Sequence, residues 1–475
     1  MPRAIVMGRR GRNGKRGFTL VEALFFLFLF SVIALTFYQL FTLGTKRILD
    51  VRRKLGATAL ASERMETIRS LPYASIGTKK SNGVGGWDYG IPAGDILETE
   101  SIVKAGGTYS VHTIAQYVDD PFDGTASGSG SSHDTIPTDY KRVRIEVSWA
   151  GAENDQSVVT WGSFSPVGVE QPSNTGVFSV NVADPSGAPI QDADVRIVSA
   201  INNVDLTAQT DVFGNQSWPG TPPGTDYMIY VSKSGYYGAQ TYPAYPTSVF
   251  SPLDLPMSVI AAAVNQKSFS MGRSSNVTIR SEDALGTAIP SVAFTLSGGR
   301  QVGNKPNASP LEAVYDFSVS ETTGSDGQKA YAGRSYGRYA LAAPGDVSGY
   351  RFLRLDPGIK SVPGFFDVAA GTDLTEKMVF AKTSIGSVLF SVKHDGGSGD
   401  AVENATVHLQ SATPMYDVTV TTGVSGQAYF PSALPALAAG TYQYQVSADG
   451  FAQATGTIVV TGTALQDQLV TLTAQ

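Results

Sequence analysis

The first 75 residues separate into blocks of different polarity, and one block is almost entirely apolar. Residues 1–17 carry six Lys or Arg and no acidic residue, whereas residues 23–43 contain no charged side chain. As an α-helix, that apolar block would span roughly 30 Å, about the thickness of a bilayer core. The pattern predicts a membrane-spanning helix over residues 18–43. Glu22 is its one charged residue, and a charge at the edge of such a helix tends to mark function.

A weaker helical pattern continues beyond the apolar block. Apolar or small residues recur there at steps of three and four, which predicts a stripe on one helix face. The members of this stripe are Ile48, Val51, Leu55, Ala59, Ser62 and Met65. Pro72 should end the helix, because the residue before a proline is pushed out of the α region. The predicted helix therefore covers residues 18–71, with Gly44 and Gly56 as weak points.

Alternating apolar and polar positions predict a small β-rich head over residues 72–168, packed on the helix. Its strand candidates are Gly107–Val118, Tyr140–Trp149 and Gln156–Phe164. A loop between the first two strands holds Asp119, Asp120 and Asp123, whose carboxylates are of the type that binds Ca²⁺. Their spacing is not that of an EF-hand, so we expect a solvated turn.

One pattern of strands and turns then recurs. Residues 169–258 and 385–475 show it clearly, and residues 259–384 contain a degenerate copy. Repeats at this spacing, rich in strands and regular turns, predict tandem β-sandwiches. The predicted fold class is α+β: a long N-terminal membrane-spanning helix, a small β-rich head, and three tandem sandwich modules.

Composition and charge narrow the function classes. The chain has no Cys, which excludes thiol catalysis and thiolate metal sites. Removing residues 1–17 would take the formal net charge from −6 to −12. A body this acidic argues against nucleic acid as a partner. The basic residues on the two sides of the apolar block are nearly balanced, so charge alone does not orient the helix.

The N-terminus resembles that of type IV prepilins and of the pseudopilins of type II secretion. The residues that carry this resemblance are Gly17, Phe18, Thr19, Leu20 and Glu22. The resemblance implies that residues 1–17 are a leader, that a prepilin peptidase cuts between Gly17 and Phe18, and that Phe18 is N-methylated. It also implies that Glu22 is the assembly glutamate. The start codon could be that of Met1 or Met7, since either leaves a basic leader.

Two further readings of the N-terminus exist. A secretory signal peptide would have a shorter apolar core and a small-x-small cleavage site, which residues 23–47 do not provide. A plain signal anchor stays open.

The carboxylate of Glu22 also has a physical role if cleavage leaves the N-terminal ammonium of Phe18 in apolar surroundings. The carboxylate can neutralise that ammonium, because charges held out of water are stable mainly when paired.

The downstream modules carry separate resemblances. The segment 139–149 is similar to head strands of minor pilins. Residues 176–258 and 385–475 closely resemble carboxypeptidase regulatory-like domains, which are transthyretin- or immunoglobulin-like sandwiches. That resemblance implies spacer or binding modules without peptidase chemistry. It is weaker for residues 259–384, where an insert interrupts the pattern.

The sequence contains one motif that resembles a catalytic site. Residues 333–337 read Gly-Arg-Ser-Tyr-Gly and match the G-x-S-x-G nucleophile elbow, but that motif needs a helix after the serine. A strand is predicted after Ser335, so we expect no enzyme. The four His are scattered, and neither a metal nor a cofactor is expected.

These observations predict a minor, tip-type pilin-like subunit that displays its sandwiches for a structural or adhesive role. Its partners would be the prepilin peptidase/methyltransferase, other pilin or pseudopilin subunits and inner-membrane lipid; a surface ligand is not identified. It would cross the cytoplasmic membrane once, N-terminus inside, before reaching the pilus or cell surface. The alternatives are a minor pseudopilin of type II secretion and a membrane-anchored surface protein outside any filament.

Processing gives the first test. We expect the mature protein to begin at Phe18 with a methylated amine, and a bulky replacement of Gly17 to block cleavage, because the peptidase reads that position. Mass-spectrometric sequencing of the N-terminus from cells measures both. An intact Met1 or Met7, or a cut after Leu43, contradicts the prepilin assignment.

Overall fold

A helix of 50 residues, Leu20–Arg69, opens the part of the chain that the computed structural model describes. At 1.5 Å per residue its length is about 75 Å. The described residues are 19–104, 107–122, 124, 134, 136–149, 156–167, 174–343, 345–347, 349–359, 364–395, 399–432 and 435–475. They fall into two units, residues 1–119 with 138–170, and residues 120–137 with 171–475.

The first unit combines α1 (Leu20–Arg69) with antiparallel strands. Its elements after the helix are a 3₁₀ turn Tyr73–Ser75, β1 Thr78–Ser81, β2 Trp87–Tyr89, β3 Ile96–Leu97, β4 Thr99–Lys104, β5 Gly107–Val118, β6 Tyr140–Trp149 and β7 Gln156–Phe164. Strands β4, β5, β6 and β7 form one sheet in that order. The three strands predicted for the head are confirmed, residue for residue.

The head packs on the C-terminal part of α1, and on a face that the apolar stripe did not predict. The buried helix residues are Ala57, Leu60, Ala61, Met65 and Ile68. Of the stripe residues only Met65 is among them, and the other five are exposed, although the helix that the stripe indicated is present. Two of the buried residues, Ala57 and Ala61, are small, which lets the sheet approach the helix closely. Tyr109 on β5 lies fully buried against this face.

Gly56 is a contact point rather than a weak point. A Cβ at this position would overlap the hydroxyl of Tyr109, which donates a hydrogen bond to the carbonyl oxygen of Arg53 at 3.3 Å. The glycine therefore lets a buried ring end against the helix backbone. Gly44, the other glycine of the helix, has no atom within 4 Å of such a Cβ.

A buried lysine ties the sheet to the segment after the helix. Lys141 on β6 is 2% exposed, and its Nζ donates to the carbonyl oxygens of Tyr73 at 2.8 Å and Ile76 at 2.7 Å. The same Nζ lies 4.5 Å from the centroid of the Tyr73 ring. Burial lowers the pKa of Lys141 to about 8, so the ammonium is still protonated at neutral pH.

The second unit contains three sandwiches in series. The strands of the first are β8 Gly176–Ala183, β9 Asp194–Ser199, β10 Val204–Gln209, β11 Asn215–Thr221, β12 Gly224–Ser232, β13 Ala239–Gln240, β14 Ser251–Pro252, β15 Met257–Val259 and β16 Val264–Ser270. One sheet has the order β11-β8-β16, and the other contains β13-β12-β9-β10. Because β16 pairs with β8, it completes the first sandwich, although the predicted division lies at residues 258 and 259.

The second sandwich has the same plan. Its strands are β17 Ser275–Asp283, β18 Ala293–Asn304, β19 Ala313–Thr322, β20 Gln328–Arg334, β21 Gly337–Ala342, β22 Tyr350–Asp356, β23 Phe365–Val368 and β24 Asp373–Lys382. Its sheets run β20-β17-β24-β22 and β14-β18-β21-β23, with β19 on β18. Strand β14 lies in the chain segment of the first sandwich but pairs with β18 of the second, and it thus links the two.

The third sandwich repeats the arrangement. Its strands are β25 Ser387–His394, β26 Thr406–Ala412, β27 Met415–Thr421, β28 Gln427–Phe430, β29 Gly440–Ser447, β30 Ala454–Val460 and β31 Leu465–Leu472. Its sheets run β28-β25-β31 and β27-β26-β29-β30. In all three sandwiches the first strand pairs in parallel with the last, so the degenerate sequence of the second still encodes the common topology. The predicted α+β class with tandem sandwiches is confirmed.

One carboxyl group is buried in the second sandwich. Glu376 on β24 is 0% exposed, and its Oε1 accepts a hydrogen bond from the backbone N–H of Gly358 at 3.1 Å. Its Oε2 has no hydrogen-bond partner among the described residues. Burial raises the pKa of Glu376 to about 7, because the charged form loses its hydration.

Gly56 gives a prediction for the head. Gly56→Val should lower the stability of the head by about 1–3 kcal/mol, since the added carbons collide with a rigid, buried ring. Thermal unfolding of the full chain in micelles, followed by near-ultraviolet circular dichroism, measures the effect. Gly44→Val is the matched control, and we expect no change from it in the head transition. Equal effects of both substitutions would contradict the contact.

Glu376 gives a prediction about pH. From pH 4.5 to 7 the folded state keeps a proton that the unfolded state releases, so stability falls as the pH rises through this window. The loss should approach on the order of 3 kcal/mol above pH 7. Urea unfolding of residues 174–475 at pH 5 and pH 8 measures it. Glu376→Gln should remove this part of the pH dependence, and an unchanged pH profile in that variant would contradict the prediction.

Candidate functional site

The candidate site is the apolar N-terminal part of α1. Within the described chain, the large apolar side chains from Leu20 to Leu55 are exposed on all sides of the helix, and no residue of the most apolar window is buried. A helix that is apolar all round must be covered by lipid or by other protein. By length and composition it is also able to cross a membrane.

The serine and threonine hydroxyl groups inside this segment bond to the helix backbone itself. Ser31 Oγ donates to the Leu27 carbonyl oxygen at 2.8 Å, and Thr36 Oγ1 donates to that of Val32 at 2.8 Å. Thr45 bonds back to Phe41 in the same way. Polar groups that lie in an apolar environment need such partners, because water is not there to replace them. The segment is therefore chemically suited to apolar surroundings.

The first turn of α1 holds the described part of the predicted processing and assembly site. Thr19 is the N-cap residue, with extended backbone angles, and its Oγ1 accepts a hydrogen bond from the backbone N–H of Glu22 at 3.2 Å. The Thr-x-x-Glu spacing is that of a capping box. An acidic residue in the first turn also interacts favourably with the helix dipole. Glu22 is exposed in the isolated chain, so its carboxylate is open to a neighbour.

Two predicted site residues, Gly17 and Phe18, lie outside the described residues. Thr19 was predicted only as part of the processing motif, and its capping role was missed. The signal was present in the sequence, since a threonine three residues before a glutamate at a helix start is typical of a cap.

A ring of basic residues follows the apolar segment. Its members on the helix are Lys46, Arg47, Arg52, Arg53 and Lys54. Cations placed just beyond an apolar span favour the interfacial and headgroup region of a membrane. They therefore set one limit of the segment that lipid would cover.

The Asp119–Asp123 loop, predicted to be a solvated turn, is described from Asp119 to Phe122. Asp120 Oδ1 accepts a hydrogen bond from the N–H of Phe122 at 3.2 Å, which is a turn of the expected kind. Asp123 lies outside the described residues. Among those described, no group of three or more His, Cys, Asp or Glu is arranged to hold a metal.

The G-x-S-x-G segment joins two strands, as predicted, and is not followed by a helix. Ser335 is 3% exposed and lies between β20 and β21. Its Oγ donates to Asp316 Oδ1 at 2.9 Å and accepts from the backbone N–H of Arg300 at 2.9 Å. The geometry of a nucleophile elbow is absent from this described segment. Ser335 acts as a structural link between strands.

Comparison with known families gives one match. Residues 12–38 match the prokaryotic N-terminal methylation motif. This match contains all five residues of the predicted processing and assembly motif and half of the exposed apolar segment. The N-terminal region is thus type IV pilin-like: it carries the processing motif of that class on a helix long enough to span a membrane. The motif implies processing by a prepilin peptidase.

Comparison with solved structures gives partial similarities. They include the Bacillus anthracis TIE protein (12% identity, 84% of this chain and 74% of that chain covered, TM-score 0.19) and a streptococcal ancillary pilin (14%, 63% and 99%, TM-score 0.19). A minor pilin of Streptococcus agalactiae is a third (13%, 42% and 97%, TM-score 0.17). At these scores we draw no inference from them. No curated protein matches the chain in sequence.

Proposed function

We propose that this protein is a minor, tip-type subunit of a type IV pilus-like filament. The observation that carries the proposal is the exposed apolar surface of α1 together with the methylation motif at its start. In the membrane, lipid covers that surface; in a filament, the same surface packs against the helices of other subunits. The helix is thus suited to both environments in turn.

The size of the second unit supports a minor rather than a major subunit. Three sandwiches, with strands from Gly176 to Leu472, are attached to a head of four main strands. Every copy in a shaft would have to accommodate this unit beside its neighbours, whereas a subunit at the tip is not crowded in this way. The sandwiches would then serve for display outside the cell.

The proposal includes no enzymatic activity. The one catalytic motif of the sequence is a buried link between strands, and its serine bonds to Asp316 rather than to a histidine. The architecture supports a display role, because independent sandwiches in series form a spacer with exposed loops and clefts.

Glu22 has an assembly role in this proposal. In a filament its carboxylate would pair with the methylated ammonium of Phe18, its own or a neighbour's, in surroundings with little water. Removal of one partner from a buried pair typically costs roughly 3–5 kcal/mol. The hydrogen bond that caps the helix does not need the carboxylate, since Thr19 Oγ1 receives it from the backbone of Glu22. Charge and capping are therefore separable.

A substitution can therefore remove the charge of Glu22 without removing the helix cap. Glu22→Gln should be inserted and cleaved normally but lost from the filament fraction, because the amide keeps the cap and removes the charge. Sheared filaments and membranes from cells are fractionated, and the protein in each is quantified, with N-terminal sequencing to verify cleavage. Thr19→Ala is the matched control: it weakens the cap by about 1 kcal/mol and should still enter filaments.

Two results would contradict the assembly role. Glu22→Gln at wild-type amounts in the filament fraction would show that the charge is not needed. An equal loss of Thr19→Ala would show that the start of the helix matters and the carboxylate does not.

The position in the envelope is tested by immunogold labelling of intact cells with an antibody against residues 385–475. We expect label at filament tips. Label along shafts contradicts the tip position. Label confined to the cell body contradicts a surface pilus and favours the anchored protein, and label only after permeabilisation favours the secretion pseudopilus.

A further inference from the structure

A cleft lies where the first and second sandwiches of the second unit meet. It consists of two adjoining cavities of about 380 and 420 Å³. Both are lined by Tyr237 of the first sandwich and by Arg300 of the second. The G-x-S-x-G segment runs along both cavities, with Ser335 at the first and Tyr336 at the second. The segment that resembles a catalytic motif thus forms a wall of the cleft.

Six aromatic residues line the two cavities. They are Tyr230, Tyr237, Tyr242, Phe269, Phe317 and Tyr336. Tyr237 is 6% and Phe269 4% exposed, and the other four are half-buried, so part of each of those four side chains is accessible. The rings of Tyr237 and Tyr336 come from different sandwiches and pack on each other, with 5.8 Å between their centroids. The exposed parts of the other rings offer apolar surface to a ligand in the cleft.

The polar groups of the cleft are held in place by a local network. Asp316 Oδ1 accepts hydrogen bonds from the N–H of Arg300 at 3.1 Å and from Ser335 Oγ at 2.9 Å. Gly299, at φ 84°, permits this approach, because a Cβ there would overlap both Ser335 Oγ and Asp316 Oδ1. The backbone of Arg300 is thereby fixed at the edge of both cavities.

The guanidinium of Arg300 has an N–H donor without an acceptor. Its Nε is buried and has no hydrogen-bond partner among the described residues, and its Nη1 lies 3.9 Å from Asp254 Oδ2, a long contact. A buried donor without an acceptor is costly, so a shift of this side chain that lets a ligand or water accept from Nε would be stabilising. Gln240 adds an amide to the first cavity.

The charges in the lining balance. Two arginines, Arg300 and Arg334, are opposed by two carboxylates, Asp254 and Asp316. The formal charges of the lining residues therefore sum to zero. The cleft suits an uncharged ligand that has an apolar face for the rings and a rim of hydroxyl groups for the guanidinium, carboxylate and amide. A pyranose ring has this combination of surfaces.

We propose that this cleft binds a neutral saccharide chain, with sugar rings stacked on the aromatic walls and hydroxyl groups bonded to Arg300 and Asp316. The inference deepens the display role proposed above by naming a ligand class for the sandwiches. Binding in solution does not require filament entry, so failure of one proposal is distinguishable from failure of the other.

The test is isothermal titration of the full chain with three uncharged probes: maltohexaose, cellohexaose and chitohexaose. The protein is kept in dodecylphosphocholine micelles, because sugar-headed detergents would compete. We expect at least one hexasaccharide to bind with a Kd below 1 mM. Tyr242→Ala and Arg300→Met should each weaken that binding at least tenfold.

Tyr245→Ala is the matched control, since Tyr245 is 51% exposed, close in sequence and not part of the lining. It should bind like the wild type, and circular dichroism must show the wild-type unfolding transition for all three variants. A heparin hexasaccharide serves as the anionic probe. No binding of any neutral probe up to 10 mM, binding of the heparin probe alone, or binding that survives both cleft substitutions would overturn the proposal.

Discussion

The exclusion of water from the apolar half of α1 is the constraint on which the protein's organisation depends. The side chains of that half are apolar on every face, and its serine and threonine hydroxyl groups already bond to the helix backbone. Nothing in the described remainder of the first unit covers it: the head packs from Ala57 onward. Lipid or other helices must therefore provide the cover.

This constraint separates the helix into two functional halves. The part before Lys46 is available for lipid or neighbouring subunits, the basic residues follow it, and the part after Gly56 belongs to the core of the head. The change occurs where glycine and alanine replace phenylalanine and leucine, which lets Tyr109 reach the backbone of Arg53. Lys141 then fixes the turn after the helix through two carbonyl oxygens. The head is thus attached to a helix whose other half stays free for assembly.

The second unit follows a different principle. Each sandwich closes by pairing its first strand in parallel with its last, so each has a core of its own. Contacts between sandwiches are separate from these closures. Strand β14 pairs with β18 of the second sandwich, and Arg351 of the second sandwich forms a bidentate ion pair with Asp467 of the third. The aromatic cleft lies between the first and second sandwiches, and neither of them alone would provide both walls.

The sequence by itself determined the features that depend on local pattern. The processing motif, the apolar helix and the three strands of the head follow from composition and from periods of 3.6 and 2 residues. The tandem sandwiches follow from the repeat. The helix cap at Thr19 was also readable, since capping depends on residues three positions apart.

Tertiary structure decided what depends on contacts distant in sequence. The buried face of α1 consists of Ala57, Leu60, Ala61, Met65 and Ile68, which also recur at steps of three and four. The helical period therefore allowed more than one buried face, and the position of the sheet decided between them. Strand β16 belongs to the first sandwich because it pairs with a strand about 90 residues earlier. Ser335 meets Asp316 and Arg300 only after β18, β19 and β20 are assembled. Periodicity in a sequence reports the local conformation, whereas the identity of the packing partner is fixed by the fold.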